Sequence, residues 1–309
     1  MVDALYDVPA PAKINLFLHV VGRRPDGYHL LQTVFRFIDL ADTLDYELRQ
    51  DGRIVCDSSV PGLEPKDDLV VRAAEALQGA TGCRLGANIR YAKRIPAGGG
   101  LGGGSSDAAT TLIALNRLWG TGLTRGELMR LALPLGADVP VFVFGQPAFA
   151  EGIGEILTPV QLPERAYVVV QPQQHVPTEG IFSAPDLTRD SPSVKMSVFT
   201  DWQTDQAQRG SDLQPSYFGR NDLEPVVLAK YPQVRRTASW LGENGVIARM
   251  TGSGACFFAE FVSMDQALVC QRQIASKIDR DDNLGSVPVA GVWVCQGLAD
   301  HPLRYWVHD

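Results

Sequence analysis

Six of the seven residues from Gly98 to Gly104 are glycine, with Pro96 and Ala97 before them and Ser105, Ser106 and Asp107 after. Such a run cannot be the interior of a stable helix or strand, because each glycine gives up more backbone freedom on ordering than any other residue. What it can do is let main-chain N–H groups close around an anion with no Cβ in the way. Its flanks favour that use. Residues 87–95 read as a strand, and Ala108, Leu112, Leu115 and Trp119 fall at i, i+4, i+7 and i+11, one stripe of a helix closed by Gly120. A helix opening at Ser105 would add unpaired N–H donors and a partial positive charge at its first turn. A flexible linker would be polar on both sides, and this run is not.

Other glycine-rich nucleotide sites fit less well. Gly98-x-Gly100-x-x-Gly103 matches the dinucleotide fingerprint, but the acidic residue expected roughly 20 positions later is missing around residues 118–123. A Walker loop needs Gly-Lys-Ser/Thr, and protein kinases carry His-Arg-Asp and Asp-Phe-Gly; neither set is present. The net charge is −7, which argues against a nucleic-acid binder. Five scattered cysteines form no C-x-x-C pair and the histidines no metal spacing, so reduced thiols in a cytoplasmic protein are expected. No apolar run reaches the ~20 residues that span a bilayer, and the amino terminus does not read as a signal peptide.

Along the chain, residues 10–21 alternate as a strand, with Lys13, Asn15 and His19 on one face and Ile14, Leu16, Leu18 and Val20 on the other. A second strand is predicted near 32–38 and a helix over 68–78, ended by Gly79. Thr124 and Glu127 make a capping box for a helix that stops at Pro134. The chain resets near 161–164, the expected domain boundary, before a strand at 167–170. Residues 184–216 read as a long polar loop, residues 224–241 as a helix, and two strands flank Gly252-Ser253-Gly254.

The glycine run with its flanks, Pro-x-Gly-Gly-Gly-Leu-Gly-Gly-Gly-Ser-Ser-Asp-Ala, resembles the phosphate-binding motif of the GHMP kinases. Three more segments agree in order: Pro11-Ala-Lys-Ile-Asn-Leu16 with Arg24-Pro-Asp-Gly-Tyr-His29, Leu135-Gly-Ala-Asp-Val-Pro140, and Thr251-Gly-Ser-Gly-Ala255. The first of these is similar to the branch of that family acting on a cytidine-diphospho sugar alcohol. The resemblance implies an α/β fold of two domains (α+β in arrangement), the GHMP kinase fold, with a left-handed βαβ crossover in the first. An ATP-binding domain would span 1–160 and a substrate-side domain 161–309, with the active site in the cleft between.

It also implies roles. Pro96, Ala97, Gly98, Gly99, Gly100, Leu101, Gly102, Gly103, Gly104, Ser105 and Ser106 would bind ATP with Mg²⁺, for which no protein ligand is nominated. Asp138 would be the general base and Lys13 its partner. On their own residues these two remain open, as a helix N-cap and an exposed strand lysine. Tyr28 and Phe182 would sandwich the cytosine, His29 would read its edge, and Asn15 and Thr178 would bond other polar groups. Gly252, Ser253 and Gly254 would bring backbone N–H groups to the substrate's phosphates. Tyr28 and His29 also suit a plain turn, Phe182 a core, and 252–254 a tight hairpin. The expected partner is a small molecule, with neither nucleic acid nor membrane, and the chain a monomer or weak homodimer. The rivals are a homoserine or mevalonate kinase, a dinucleotide-binding oxidoreductase, and a nucleotide-binding module without turnover.

Overall fold

The computed structural model describes residues 2–58, 64–208, 216–279 and 287–309. In order these form β1 (Ala4–Arg23), β2 (His29–Arg49), β3 (Ile54–Ser58), α1 (Leu69–Thr81), β4 (Gly86–Ala92), α2 (Gly103–Leu118), α3 (Arg125–Ala132), α4 (Val139–Phe144), β5 (Ala148–Glu151) and β6 (Ile156–Pro159). There follow β7 (Ala166–Pro172), α5 (Glu179–Phe182), α6 (Met196–Gln208), α7 (Glu224–Lys230), α8 (Pro232–Glu243), β8 (Arg249–Met250), β9 (Phe257–Phe261), α9 (Met264–Asp279) and β10 (Val289–Gln296).

Two sheets organise the chain among the described residues. The first runs β3-β4-β2-β5-β6, with β1 on the other edge of β2; the second runs β10-β7-β9-β8. β3 and β4 are parallel and joined through α1, which is where the expected crossover falls. The long β1 is buried on both faces rather than one. Phe17 and Val20 have no exposure, and neither have Ala12 and Ile14. Register shifts between Asn15 and Leu18 break the simple alternation, so a strand bent by bulges can serve both sheets. Leu18 and Val20 pack in the core of the second sheet, while Val8 and Ala10 pack in that of the first.

The helices follow local chemistry more closely than their predicted limits. Asp68 caps α1 by accepting from Val70 N at 2.9 Å, but the helix passes Gly79 and stops at Gly82, in the left-handed region at φ 64°. Gly79 has open space around it, so nothing forces a stop there. The Thr124 capping box is formed as expected, and α3 ends at Ala132 before a short 3-10 turn through Pro134. The helix predicted over 224–241 is broken at Tyr231 by Pro232, which lacks an N–H and restricts the residue before it. The largest correction is α6, inside the stretch read as a loop. Its Phe199 is fully buried and packs with Phe17, Trp202 and Phe218. Residues 209–215 of that stretch lie outside the described residues.

After β10 the chain returns to the first sheet. Leu303 and Val307 enter the core built on α2, and Leu298 N bonds to Phe37 O at 2.8 Å. Arg125 donates to the carbonyls of Val143, Arg304 and Val307, tying α3 and α4 to this tail. His301 is wholly buried there, edge-on to Phe37 and Phe142. Its Nδ1 accepts from Leu303 N, and its Nε2 has no partner among the described residues. Burial, helped by Arg125, drops its pKa from 6.5 to about 3. The unfolded chain therefore binds a proton that the folded chain refuses, and stability falls as pH drops below 6.5 toward 3. The limiting slope is about 1.4 kcal/mol per pH unit. Denaturant titrations should show wild type losing about 2 kcal/mol more than His301→Gln between pH 6.5 and pH 5. Parallel curves would mean that His301 is protonated without cost.

Candidate active site

A cavity of about 990 Å³ opens between the glycine run, the β1–β2 hairpin and the loop between β8 and β9. It is lined along its middle by Lys13, Asn15, Gly100, Gly102 and Asp138. The Lys13 side chain is 3% exposed, not the exposed strand lysine that its sequence alone allows. Its ammonium donates to Asn15 Oδ1 at 2.7 Å and Gly100 O at 3.0 Å, and pairs with Asp138 Oδ2 at 3.1 Å. A buried ammonium with three oxygen partners is held in place, and it in turn fixes the carboxylate. Asp138 does stand at the N-cap position of α4, yet its side chain caps nothing. It is 36% exposed and faces the cavity. Asn15 is anchored as well, with Nδ2 donating to Thr33 Oγ1 and its N–H to Thr251 Oγ1, both at 2.9 Å.

The glycine run is a seat built from two loops. Gly98, Gly100 and Gly102 all have positive φ, which alternates the direction of successive N–H groups. Gly98 O and Gly99 O accept from Ala255 N and Cys256 N, so the loop after β8 is pinned to the run. α2 starts at Gly103, two residues earlier than predicted, and Gly104 and Ser105 belong to its first turn. Pro96, Ala97, Leu101 and Ser105 also line the cavity. Ser106 does not. It is buried, with its hydroxyl donating to Pro11 O at 2.7 Å and its N–H to Gly102 O at 2.8 Å. Its role here is to lock the helix start against β1.

At one end of the cavity lie Tyr28, His29 and Phe182. Tyr28 is 59% exposed at the rim, while the rings of His29 and Phe182 pack together at 5.2 Å between centroids. Burial, with Arg189 and Arg23 adding to it, lowers the His29 pKa and favours the neutral ring. Thr178 and Ser253 share a hydroxyl–hydroxyl hydrogen bond of 2.7 Å, which ties α5 to the loop after β8. Gly252 and Ser253 line the cavity and Gly254 lies behind them. Asn221 holds this loop by donating to Met250 O and Gly252 O, each at 2.8 Å.

At the other end, Lys93 sits between the carboxylates of Asp42 and Asp107, and both Lys93 and Asp107 line the cavity. Burial pushes the Asp107 carboxyl up to about 7, against the pull of Lys93 and with the repulsion of Asp42. This cluster escaped the sequence reading. Asp107 lies inside the quoted motif, but no spacing links it to Asp42. Arg189 also escaped, because it lies in the segment read as loop.

Among the described residues no group of three or more His, Cys, Asp or Glu side chains could hold a metal. Mg²⁺ keeps several waters and takes few protein ligands, so one or two oxygens would serve it. Asp138 and Ser105 both line the cavity with the glycine run and carry such oxygens. The Ser105 hydroxyl lies against the Gly136 segment that leads to Asp138.

Fold and seat together are those of a small-molecule kinase. The model of the GHMP kinases N terminal domain matches residues 68–146, and that of the GHMP kinases C terminal matches residues 210–279. A 4-diphosphocytidyl-2-C-methyl-D-erythritol kinase of Bordetella parapertussis is 61% identical over 306 residues, covering 98% of this chain and 99% of its own. One of Ralstonia pickettii is 56% identical, over 88% of this chain and 91% of its own. A crystal structure of 4-(cytidine 5'-diphospho)-2C-methyl-D-erythritol kinase superposes with a TM-score of 0.74 at 31% identity, covering 94% of this chain and 98% of that one. A homoserine kinase from Cytophaga hutchinsonii shares the fold, with a TM-score of 0.64 at 17% identity. The chain belongs to the GHMP kinases, in the 4-diphosphocytidyl-2-C-methyl-D-erythritol kinase family. No helix among the described residues is long and apolar enough to cross a membrane.

Proposed function

We propose that this enzyme transfers the γ-phosphate of ATP to the 2-hydroxyl of 4-diphosphocytidyl-2-C-methyl-D-erythritol, a step of the non-mevalonate route to isoprenoid precursors. The observation that carries the mechanism is the Lys13–Asp138 pair at 3.1 Å, set beside the glycine run in one continuous cavity. Phosphoryl transfer depends on position and charge more than on covalent help. The main-chain N–H groups of Gly98–Ser105 hold the triphosphate. Asp138 takes the proton of the attacking hydroxyl as its oxygen bonds the γ-phosphorus and the bond to the β–γ bridging oxygen breaks. ADP leaves, and Lys13 offsets negative charge on the transferring group while keeping Asp138 aimed. Mg²⁺ arriving on the nucleotide would supply further charge neutralisation, with Asp138 and Ser105 the side chains that would hold it.

The base end of the cavity favours a cytidine over the smaller substrates of sister kinases. Tyr28 and Phe182 offer aromatic faces, and His29 a polar edge beside Phe182. Asn15 would bond the methylerythritol hydroxyls and Thr178 would be a polar contact beside Phe182. The N–H groups of Gly252 and Ser253 would meet the diphosphate, whereas that of Gly254 is taken by the Thr251 carbonyl at 3.0 Å. We assign 1–160 to nucleotide and 161–309 to substrate, in a cytoplasmic monomer or weak homodimer.

Turnover of ATP and Mg²⁺ with the cytidine-diphospho substrate, set against mevalonate and homoserine, tests the reading directly. Tyr28→Ala or Phe182→Ala should weaken the cytidine substrate by about 1–3 kcal/mol and leave ATP nearly untouched. Equal losses for both ligands would make these rings structural. Turnover of homoserine or mevalonate alone would reassign the enzyme within its superfamily.

A further inference from the structure

Arg189 takes no part in the chemistry above, yet it joins both walls of the base end. Its Nε–H donates to His29 Nε2 at 3.1 Å. Its Nη2 donates to the carbonyls of Phe182 at 3.2 Å and Ala184 at 2.6 Å, and its Nη1 to that of Leu187 at 3.0 Å. A guanidinium is planar, always charged, and only donates. Three bonds to carbonyls therefore fix it on the turn after α5, and the fourth dictates the state of the imidazole. A ring nitrogen that accepts cannot carry the proton of a neutral imidazole, so the His29 proton sits on Nδ1. A second proton is opposed by burial and by the charges of Arg189 on one side and Arg23 from β1 on the other. Arg24 and Asp26, in the turn before His29, are paired with each other, and Glu179 at the start of α5 also lines the cavity. Nδ1 has no hydrogen bond among the described residues and is not among the buried polar atoms left unpartnered, while His29 lines the cavity. Its N–H is open to the ligand.

We infer that Arg189 is a positioning residue for base recognition: by donating to His29 Nε2 it holds the imidazole as the Nδ1–H form. The cavity is thereby offered a fixed donor, which suits the ring-nitrogen acceptor of cytosine and opposes the ring N–H of uracil. The inference rests on the cytidine reading of the site and deepens it. The same guanidinium grips the Phe182 carbonyl, so the ring that packs on His29 and the ring's hydrogen-bonding state are set by one group. A site that presents a committed donor rejects an analogue carrying a second donor, because both N–H groups are left unpaired on binding.

The test uses the full chain with Arg189→Met and Arg189→Lys. Nitrogen-15 NMR of histidine-labelled protein, free of substrate, reads the tautomer of His29, whose signal is assigned by its loss in His29→Gln. Wild type should show the Nδ1–H form alone, while Arg189→Met should show a mixture titrating nearer the ordinary 6.5. In turnover, Arg189→Met should raise KM for the cytidine substrate roughly tenfold, the worth of one hydrogen bond. KM for ATP and kcat should stay put. The preference for the cytidine over the uridine diphosphate analogue should fall by roughly tenfold as well. Arg189→Lys keeps the charge without the fork and should fall between. An Nε2–H tautomer in wild type overturns the inference, as does an unchanged tautomer in Arg189→Met. Equal losses for ATP and substrate would make Arg189 structural and overturn it too. If wild type fails to use the cytidine substrate, the functional reading falls, and the NMR result alone decides whether Arg189 sets the ring.

Discussion

Asp138→Asn is expected to lower kcat by roughly 10²–10⁴-fold, the range for a positioned acid–base group. The geometry makes this a clean substitution. The one structural duty that position could carry, capping α4, is not performed by the side chain. Lys13 would lose a charged partner but keep Asn15 Oδ1 and Gly100 O, so its ammonium would stay in place. Folding stability should therefore move little, and ATP affinity should change by far less than kcat. Steady-state kinetics beside calorimetry of ATP binding would separate these. Near-wild-type turnover would remove Asp138 from the mechanism, leaving Lys13 to act on the phosphate alone.

Gly100→Val is the second large effect, and it acts on fold and site together. Gly100 has φ 74°, a region that a branched side chain tolerates poorly. A Cβ there would run into the Thr251 carbonyl oxygen, which is backbone and cannot swing aside. Strain and overpacking each cost about 1–3 kcal/mol, so a combined loss of roughly 2–6 kcal/mol is expected. Any folded fraction should bind ATP at least roughly 100-fold more weakly, because the seat exists only while the two loops touch. Gly104→Ala is the contrast. Its Cβ would meet nothing nearer than Leu69 Cδ1 at 3.6 Å, inside the first turn of α2. It should stabilise the helix by about 0.5–1 kcal/mol. A wild-type unfolding midpoint for Gly100→Val would show that the loops do not bear on each other.

These sites differ in how far the sequence announced them. The glycine run was legible because its cause is local: a strand, a stretch without side chains, and a helix start are all written within a few residues. The meeting of Lys13 with Asp138 was legible only through the family resemblance, since nothing in their separation foretells a salt bridge. Buried polar partners were the least visible. Asp42 and Lys93 are brought together by β2 and the end of β4, and Arg189 finds His29 across 160 positions of the chain. Each reads as a solvated surface charge until the tertiary fold encloses it. α6 was missed for a related reason. Its few apolar positions, such as Phe199, fill a gap beside β1 instead of making a regular stripe. The break at Tyr231 was readable, since Pro232 forbids a continuous helix over that span.

The returning tail has a consequence for how the molecule is made. Leu303 and Val307 complete the core around α2, although the whole second sheet separates them from it in the chain. During synthesis the first sheet and its glycine run emerge early, but the wall that Leu303, Val307 and the Arg125 bonds provide arrives only after β10 has left the ribosome. The first sheet with α2, α3 and α4 therefore waits with apolar surface uncovered, open to chaperones or to wrong contacts, until residues 298–307 seal it. Residues 303–307, which follow the second sheet, act as the closing stitch of the half made before it.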